Sequence, residues 1–202
     1  MNPSDAAKPV RAFVAIAPPQ ILVDRLKQVQ QELQSGIGGD AIRWTMPAQL
    51  HLTLKFLGNV SGVALSGLES ALRHACQDQA PFRLALENPG CFPNPRNPRV
   101  IWVGINGELE PLQKLQSRID RETQAFGDHA EEHAFQPHLT IGRVKVQGKE
   151  ARKVGEAVEH AAPSKCGAWM VREVGLMQSR LSPLGAQHTT LAVLALSSPL
   201  PE

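Results

Sequence analysis

The run histidine-leucine-threonine followed by an aliphatic residue occurs twice in this chain, as His51-Leu52-Thr53-Leu54 and as His138-Leu139-Thr140-Ile141. The flanks agree as well, Gln49-Leu50 before the first and Gln136-Pro137 before the second. Alternating apolar and polar residues predict a β-strand for each window. On a strand, residues two apart share a face. His51 and Thr53 therefore point one way, and Leu52 and Leu54 the other. The same holds for His138 and Thr140 against Leu139 and Ile141. Imidazole exchanges a proton near neutral pH, and a hydroxyl is a neutral hydrogen-bond donor. Two such strands facing one groove bring two acid/base groups and two donors around one small anion. A lone strand histidine is ordinarily solvated or structural, and a strand threonine is ordinarily a β-branched filler. The repetition in matched context is what favours chemistry here.

That set suits in-line displacement at a cyclic phosphodiester. The entering water and the leaving oxygen lie on opposite sides of phosphorus, so a base is needed on one side and an acid on the other. Thr53 and Thr140 can donate to the non-bridging oxygens as charge builds. Lys55 shares parity with His51 and Thr53 and can add positive charge, although a solvated lysine at the groove edge is the plainer reading. Trp44 and Phe56 offer flat faces for a base. Phe56 has the parity of Leu52 and Leu54, which predicts a core position. Arg96 and Arg99 lie in a Pro/Asn-rich segment that suits either an RNA backbone or an ordinary solvated hairpin. His129-Ala130-Glu131-Glu132-His133, with His138, invites a metal reading. Its spacing matches no fixed ligand motif, so no metal site is expected.

The chain has 202 residues and 42% apolar content, enough for one sizeable core. A net charge of +2 excludes a histone-like basic protein and allows a locally positive groove. Cys76, Cys91 and Cys166 form no C-x-x-C pair, which argues against a disulfide framework and for a reducing, cytoplasmic setting. Residues 1–9 have no apolar core of a signal peptide and are expected to be a flexible tail ahead of a single bilobal domain over residues 10–202. No apolar run is long enough for a transmembrane helix.

The elements that must carry the motifs follow from periodicity and punctuation. Strands are predicted at 10–17, 42–45, 50–57, 82–88, 99–105, 136–146, 168–178 and 187–196. Helices are predicted from Pro18-Pro19 to about residue 34, and at about 62–78, 108–126 and 150–161. On the first helix, Ile21, Leu22, Leu26, Val29 and Leu33 form the apolar face. Each motif histidine leads the same series of strand, helix, strand, loop and strand. The fold expected is α+β. Two pseudo-symmetric lobes, each an antiparallel sheet with outer helices, would flank a central groove.

The paired H-x-T-x windows resemble those of the two-histidine phosphoesterases. More narrowly, the chain is similar to the RNA 2′,3′-cyclic phosphodiesterases, also called 2′-5′ RNA ligases. The resemblance runs through Arg11 to Ile16, Arg43-Trp44, His51 to Gly58, Phe92-Pro93, Arg99 to Trp102, Pro137 to Arg143 and Ser179 to Gly185. It implies hydrolysis of a terminal 2′,3′-cyclic phosphate on RNA or an oligonucleotide to a 2′-phosphomonoester. His51 would be the general acid on the leaving oxygen and His138 the general base for water, with no metal or other cofactor. It also implies that Arg143 contacts the phosphate region. Parity sets Arg143 opposite His138, so that role requires a bulge near Gly142. The partner implied is an RNA end, with no membrane, and a monomer is expected. The family often has Tyr in the last strand where this chain has His188, so the function of that position stays open. The alternatives are an RNA-end or nucleotide-binding protein, or a relative that ligates RNA or cleaves another cyclic phosphodiester.

Overall fold

The computed structural model describes residues 8–128, 134–161, 167–182 and 185–197. Most of the expected tail, residues 1–7, lies outside them, as does the 129–133 stretch with its two histidines. In chain order the elements are β1 (Val10–Ile16), α1 (Gln20–Ile37), β2 (Ile42–Trp44), β3 (Leu52–Val60), α2 (Leu65–Cys76), β4 (Phe82–Phe92), β5 (Val100–Gly107), α3 (Leu109–Glu122), β6 (His138–Val144), α4 (Gly148–Glu159), β7 (Ala168–Val171), β8 (Glu173–Ser182) and β9 (Gly185–Ala195).

All strands join one antiparallel sheet in the order β7-β4-β5-β6-β3-β1-β8-β9, with β2 added on β6. The order is symmetric about the β3–β6 contact. Each half has four strands, with a motif strand at the centre of the whole. The halves are not contiguous in sequence, however. β4, which follows α2, joins the half of β6, and β8, which follows α4, joins the half of β3. This exchange also splits the strand expected at 168–178. Residues up to Val171 pair with β4 and those from Glu173 onward pair with β9 and then β1, so the chain breaks at Arg172.

The helices cover the sheet with their apolar stripes. Leu22, Leu26, Val29 and Leu33 of α1 are buried, as are Leu68 and Leu72 of α2, Leu112, Leu115 and Ile119 of α3, and Val154 and Val158 of α4. Ile21 was expected on the α1 stripe but is exposed, because the buried face includes Val23 instead. Helix α3 packs behind β3, and α1 behind β6.

Both motif strands bulge at the fourth residue of the motif. Against β1, Thr53 opposes Ala15 and Lys55 opposes Val14, so Leu54 is the extra residue. Against β5, Thr140 opposes Trp102 and Gly142 opposes Ile101, so Ile141 is the extra residue. An extra residue reverses the face of everything after it. Lys55 therefore turns away from the groove, contrary to the parity reading. It is 5% exposed, with its Nζ 2.7 Å from Asp120 Oδ1 and donating to the Asp120 carbonyl at 3.0 Å. It is a buried cation tying β3 to α3 and no part of the groove. Phe56 is corrected in the opposite sense: expected in the core, it is 44% exposed on the groove side.

Removing one partner of a buried ion pair is worse than replacing the charge with an apolar side chain of similar volume. Asp120→Ala leaves Lys55 charged and buried, and is expected to cost about 1–3 kcal/mol of unfolding free energy. Lys55→Met should cost less than Asp120→Ala. Urea unfolding of the two variants checks the order, and the reverse order would place Lys55 in solvent.

Candidate active site

The two motifs meet where β3 pairs with β6, through Leu52 opposite Leu139. Both leucines are fully buried on the core side. The antiparallel sense sets His51 beside Thr140, and Thr53 beside His138, on the other face. These four side chains line one groove of about 900 Å³. The grouping expected from the repeat is thus present, with the strands side by side in one sheet.

Each histidine is held in the same way. His51 Nδ1 lies 2.6 Å from the carbonyl of Gln49, and His138 Nδ1 lies 2.7 Å from the carbonyl of Gln136. A carbonyl only accepts, so Nδ1 carries the hydrogen and Nε2 is the proton-exchanging atom in both rings. A neutral ring can then take a proton at Nε2, and a charged ring can give one.

Their surroundings differ. The His51 ring packs against Phe13 at a centroid distance of 4.8 Å and edge-on to His188 at 5.1 Å. Burial, followed by the nearby His188 and His138, pushes its pKa down to about 4, although the bond to Gln49 opposes the shift. His138 lies edge-on to Phe92 at 5.0 Å and near Trp102 at 6.4 Å. Burial lowers its pKa too, as it does that of His188. His188, the position left open by the sequence, stands beside the first histidine.

The bulge at Ile141 turns Arg143 to the groove face, as its expected role required. Arg43 stands directly opposite it across the β2–β6 ladder and also lines the groove. Like charges paired across strands are unfavourable, and neither arginine has an ion-pair partner among the described residues. Such a pair suits an anion between or beside them. Trp44 lines the same end. Its indole N–H donates to Gln34 Oε1 at 2.7 Å, and its ring lies so close over Gly142 that a Cβ there would come within 3.0 Å of it. At the other end of the groove Arg11 is near Asp128, which also accepts two hydrogen bonds from Asn59. The unpaired positive charge is therefore at the Arg43–Arg143 end. Arg43 and Phe13, which line the groove, and Phe92, which packs against His138, were visible in the sequence only as parts of a resemblance, since nothing in their spacing marks them as site residues. Arg96 and Arg99 are exposed but do not line the groove.

A groove with two such histidines and two such threonines, on this curled antiparallel sheet, defines a two-histidine phosphoesterase fold. The model of the 2′-5′ RNA ligase superfamily matches residues 44–182, and the chain belongs to that superfamily. Among its relatives, the RNA 2′,3′-cyclic phosphodiesterase of Methanothermobacter thermautotrophicus is 35% identical over 93% of this chain and 99% of its own. That of Archaeoglobus fulgidus is 34% identical over 91% of this chain and 99% of its own. The crystal structure of TT0787 of Thermus thermophilus superposes with a TM-score of 0.74 at 26% identity, covering 93% of this chain and 98% of that one. E. coli LigT complexed with 3′-AMP superposes at 0.72 and 23% identity over 94% and 99%, a likeness of fold.

The lowered histidine pKa values set a stability trend. Each ring is held neutral by the fold, while in the unfolded chain it charges near pH 6.5. As pH falls below 6.5 the unfolded state takes up protons first, so these groups cost stability down to the folded pKa, which for His51 is about 4. His51→Asn should therefore show a shallower loss of stability than the wild type between those limits. Denaturant midpoints across the range measure it. NMR titration of the empty protein should place His51 below the usual histidine value, and inorganic phosphate should raise it. A normal His51 titration would contradict the burial argument.

Proposed function

We propose that this chain hydrolyses a terminal 2′,3′-cyclic phosphate on RNA or an oligonucleotide to a 2′-phosphomonoester. The observation that carries the reading is the pair of histidines on neighbouring strands, each with Nδ1 bonded to a backbone carbonyl and Nε2 left for proton exchange. The names of the relatives from Methanothermobacter and Archaeoglobus support the substrate class.

His138 Nε2 takes a proton from water, whose oxygen attacks phosphorus in line. The bond from phosphorus to the 3′ oxygen breaks, and charged His51 gives its Nε2 proton to that oxygen. The net change adds one water across one P–O bond, and the 2′ ester is kept. Thr53 and Thr140 donate to the non-bridging oxygens. Arg143, with Arg43 opposite, holds the phosphate and the adjoining chain by charge. Trp44 offers a flat wall to a nucleotide at that end. With His51 near pKa 4 in the empty groove, the acid must be charged by the substrate itself, since a bound phosphodiester anion favours the imidazolium. Both histidines and both threonines come from one chain, so the site is complete in a monomer.

His51→Ala and His138→Ala should each lower kcat by at least about a hundredfold on a 2′,3′-cyclic mononucleotide. The double variant should lose much less than the product of the two, because the groups act as one unit. Circular dichroism should show both single variants folded. A folded His138→Ala protein turning over at the wild-type rate would leave nucleotide binding, without catalysis, as the better reading.

Two further outcomes separate this mechanism from its neighbours. Activity should persist in excess EDTA, because the two imidazoles supply both proton transfers without a Lewis acid. Loss in chelator with recovery on adding zinc or manganese would overturn that. Phosphorus NMR should identify the product as the 2′-phosphate; a clean 3′-phosphate would mean that substrate lies in the groove the other way round.

A further inference from the structure

Each motif bulge exposes a backbone carbonyl behind the sheet, and in both cases a glutamine from a covering helix reaches it. Gln30 of α1 is 8% exposed, and its Nε2 donates to the Ile141 carbonyl at 2.9 Å and to the Thr45 carbonyl at 2.9 Å. The Thr45 N–H also donates to Ile141, at 3.0 Å. Gln116 of α3 directs its Nε2 to the Leu54 carbonyl at 3.4 Å. Leu54 and Ile141 are the corresponding residues of the two motifs. At Ile141 the carbonyl thus accepts two bonds, one from the Thr45 backbone and a second from Gln30, whose amide clamps the bulged residue and Thr45 together. A buried polar side chain that spends both its donors on the backbone is costly to hold unless that backbone conformation matters.

We propose that Gln30 is a positioning residue for Arg143. It pins the bulge at Ile141, and that bulge is what turns Arg143 from the core face to the groove face beside His138 and Thr140. By tying Ile141 to Thr45, just after β2, it also fixes the register that sets Arg43 opposite Arg143. Gln116 is its counterpart in the other half, where the bulge at Leu54 turns Phe56 to the groove. Without the bulge, parity would send Arg143 inward and leave the anion end of the groove with Arg43 alone. The inference rests on the phosphate-holding role given to Arg143 above.

The test is a double-mutant cycle on kcat/KM for a 2′,3′-cyclic mononucleotide. Gln30→Met removes the donors at similar volume and should lower kcat/KM about tenfold in the wild-type background. In an Arg143→Ala background it should cost less than about twofold, since coupled residues are not additive. A Thr53→Val background, which lies on the other motif strand, should leave the Gln30 effect near its full size. Equal losses from Gln30→Met in every background would overturn the proposal, because a general loss of order does not single out Arg143. A folded Gln30→Met protein with wild-type kinetics would overturn it too. If Gln30→Met does not fold, Gln30→Glu decides: protonated, it still donates one bond, and ionised it donates none. Its rate relative to wild type should then fall as pH rises, and a flat ratio would count against Gln30. Should Arg143→Ala itself be silent, the phosphate-holding role fails and Gln30 loses its object. Additivity beside a clear Arg143 effect removes Gln30 alone.

Discussion

The active groove depends on one residue pair. Leu52 and Leu139 bring two motif strands together at the centre of a sheet whose halves are otherwise held by different strands and helices. Their side chains are buried in the common core, so the apolar face of the sheet fixes their register. A slip of either strand by one residue would turn its leucine to water and its histidine into the core. The functional face inherits its geometry from that penalty. The strand exchange strengthens the constraint: because β4 and β8 each cross to the other half, the two sequence repeats cannot separate without also breaking the β5–β6 and β4–β7 ladders.

On this frame the bulges decide which charges reach the groove. The same local event, one extra residue after H-x-T, takes Lys55 out of the groove and brings Arg143 into it. Lys55, itself buried, then pairs with the half-exposed Asp120 carboxylate, and its charge serves the attachment of α3. Arg143 stands opposite Arg43, and neither has an ion-pair partner among the described residues. Among the described residues, one end of the groove thereby has two arginines without an ion-pair partner, while Arg11 at the other end has Asp128 near it. The groove is polarised by strand geometry, although the chain as a whole carries a net charge of only +2.

Much of this was legible in the sequence, for a physical reason. The strand period puts His51 with Thr53, and His138 with Thr140, whatever the rest of the fold does. The α+β class, the four helices and the buried stripes of α2 and α3 follow from apolar spacing. The bulges were not legible, because a bulge preserves composition and changes only parity. Lys55 and Phe56 were misplaced for that reason, while for Arg143 the parity conflict itself pointed to a bulge. The pairing of Arg43 with Arg143 and the contact of His188 with His51 are long-range, and no local pattern encodes them. The break at Arg172 was hidden because both strands around it are equally β-like, and only their partners differ.

The two histidines are equal in their backbone bonds and unequal in their surroundings, and that inequality fits the proposed division of labour. His51 is the drier ring, with Phe13 on one side and His188 on another. A low-pKa imidazolium is the stronger acid and the better donor to a departing alkoxide. Its cost is that it is scarcely charged in the empty groove. In the proposed mechanism an anionic substrate removes that cost by entering the same dry space, where its charge is poorly screened. His138, less enclosed, keeps the access to water that its proposed role as general base needs. His188 then contributes through its neighbour: any charge it gains makes His51 harder to protonate, so the third histidine adds to the larger effect of burial in keeping the ring neutral.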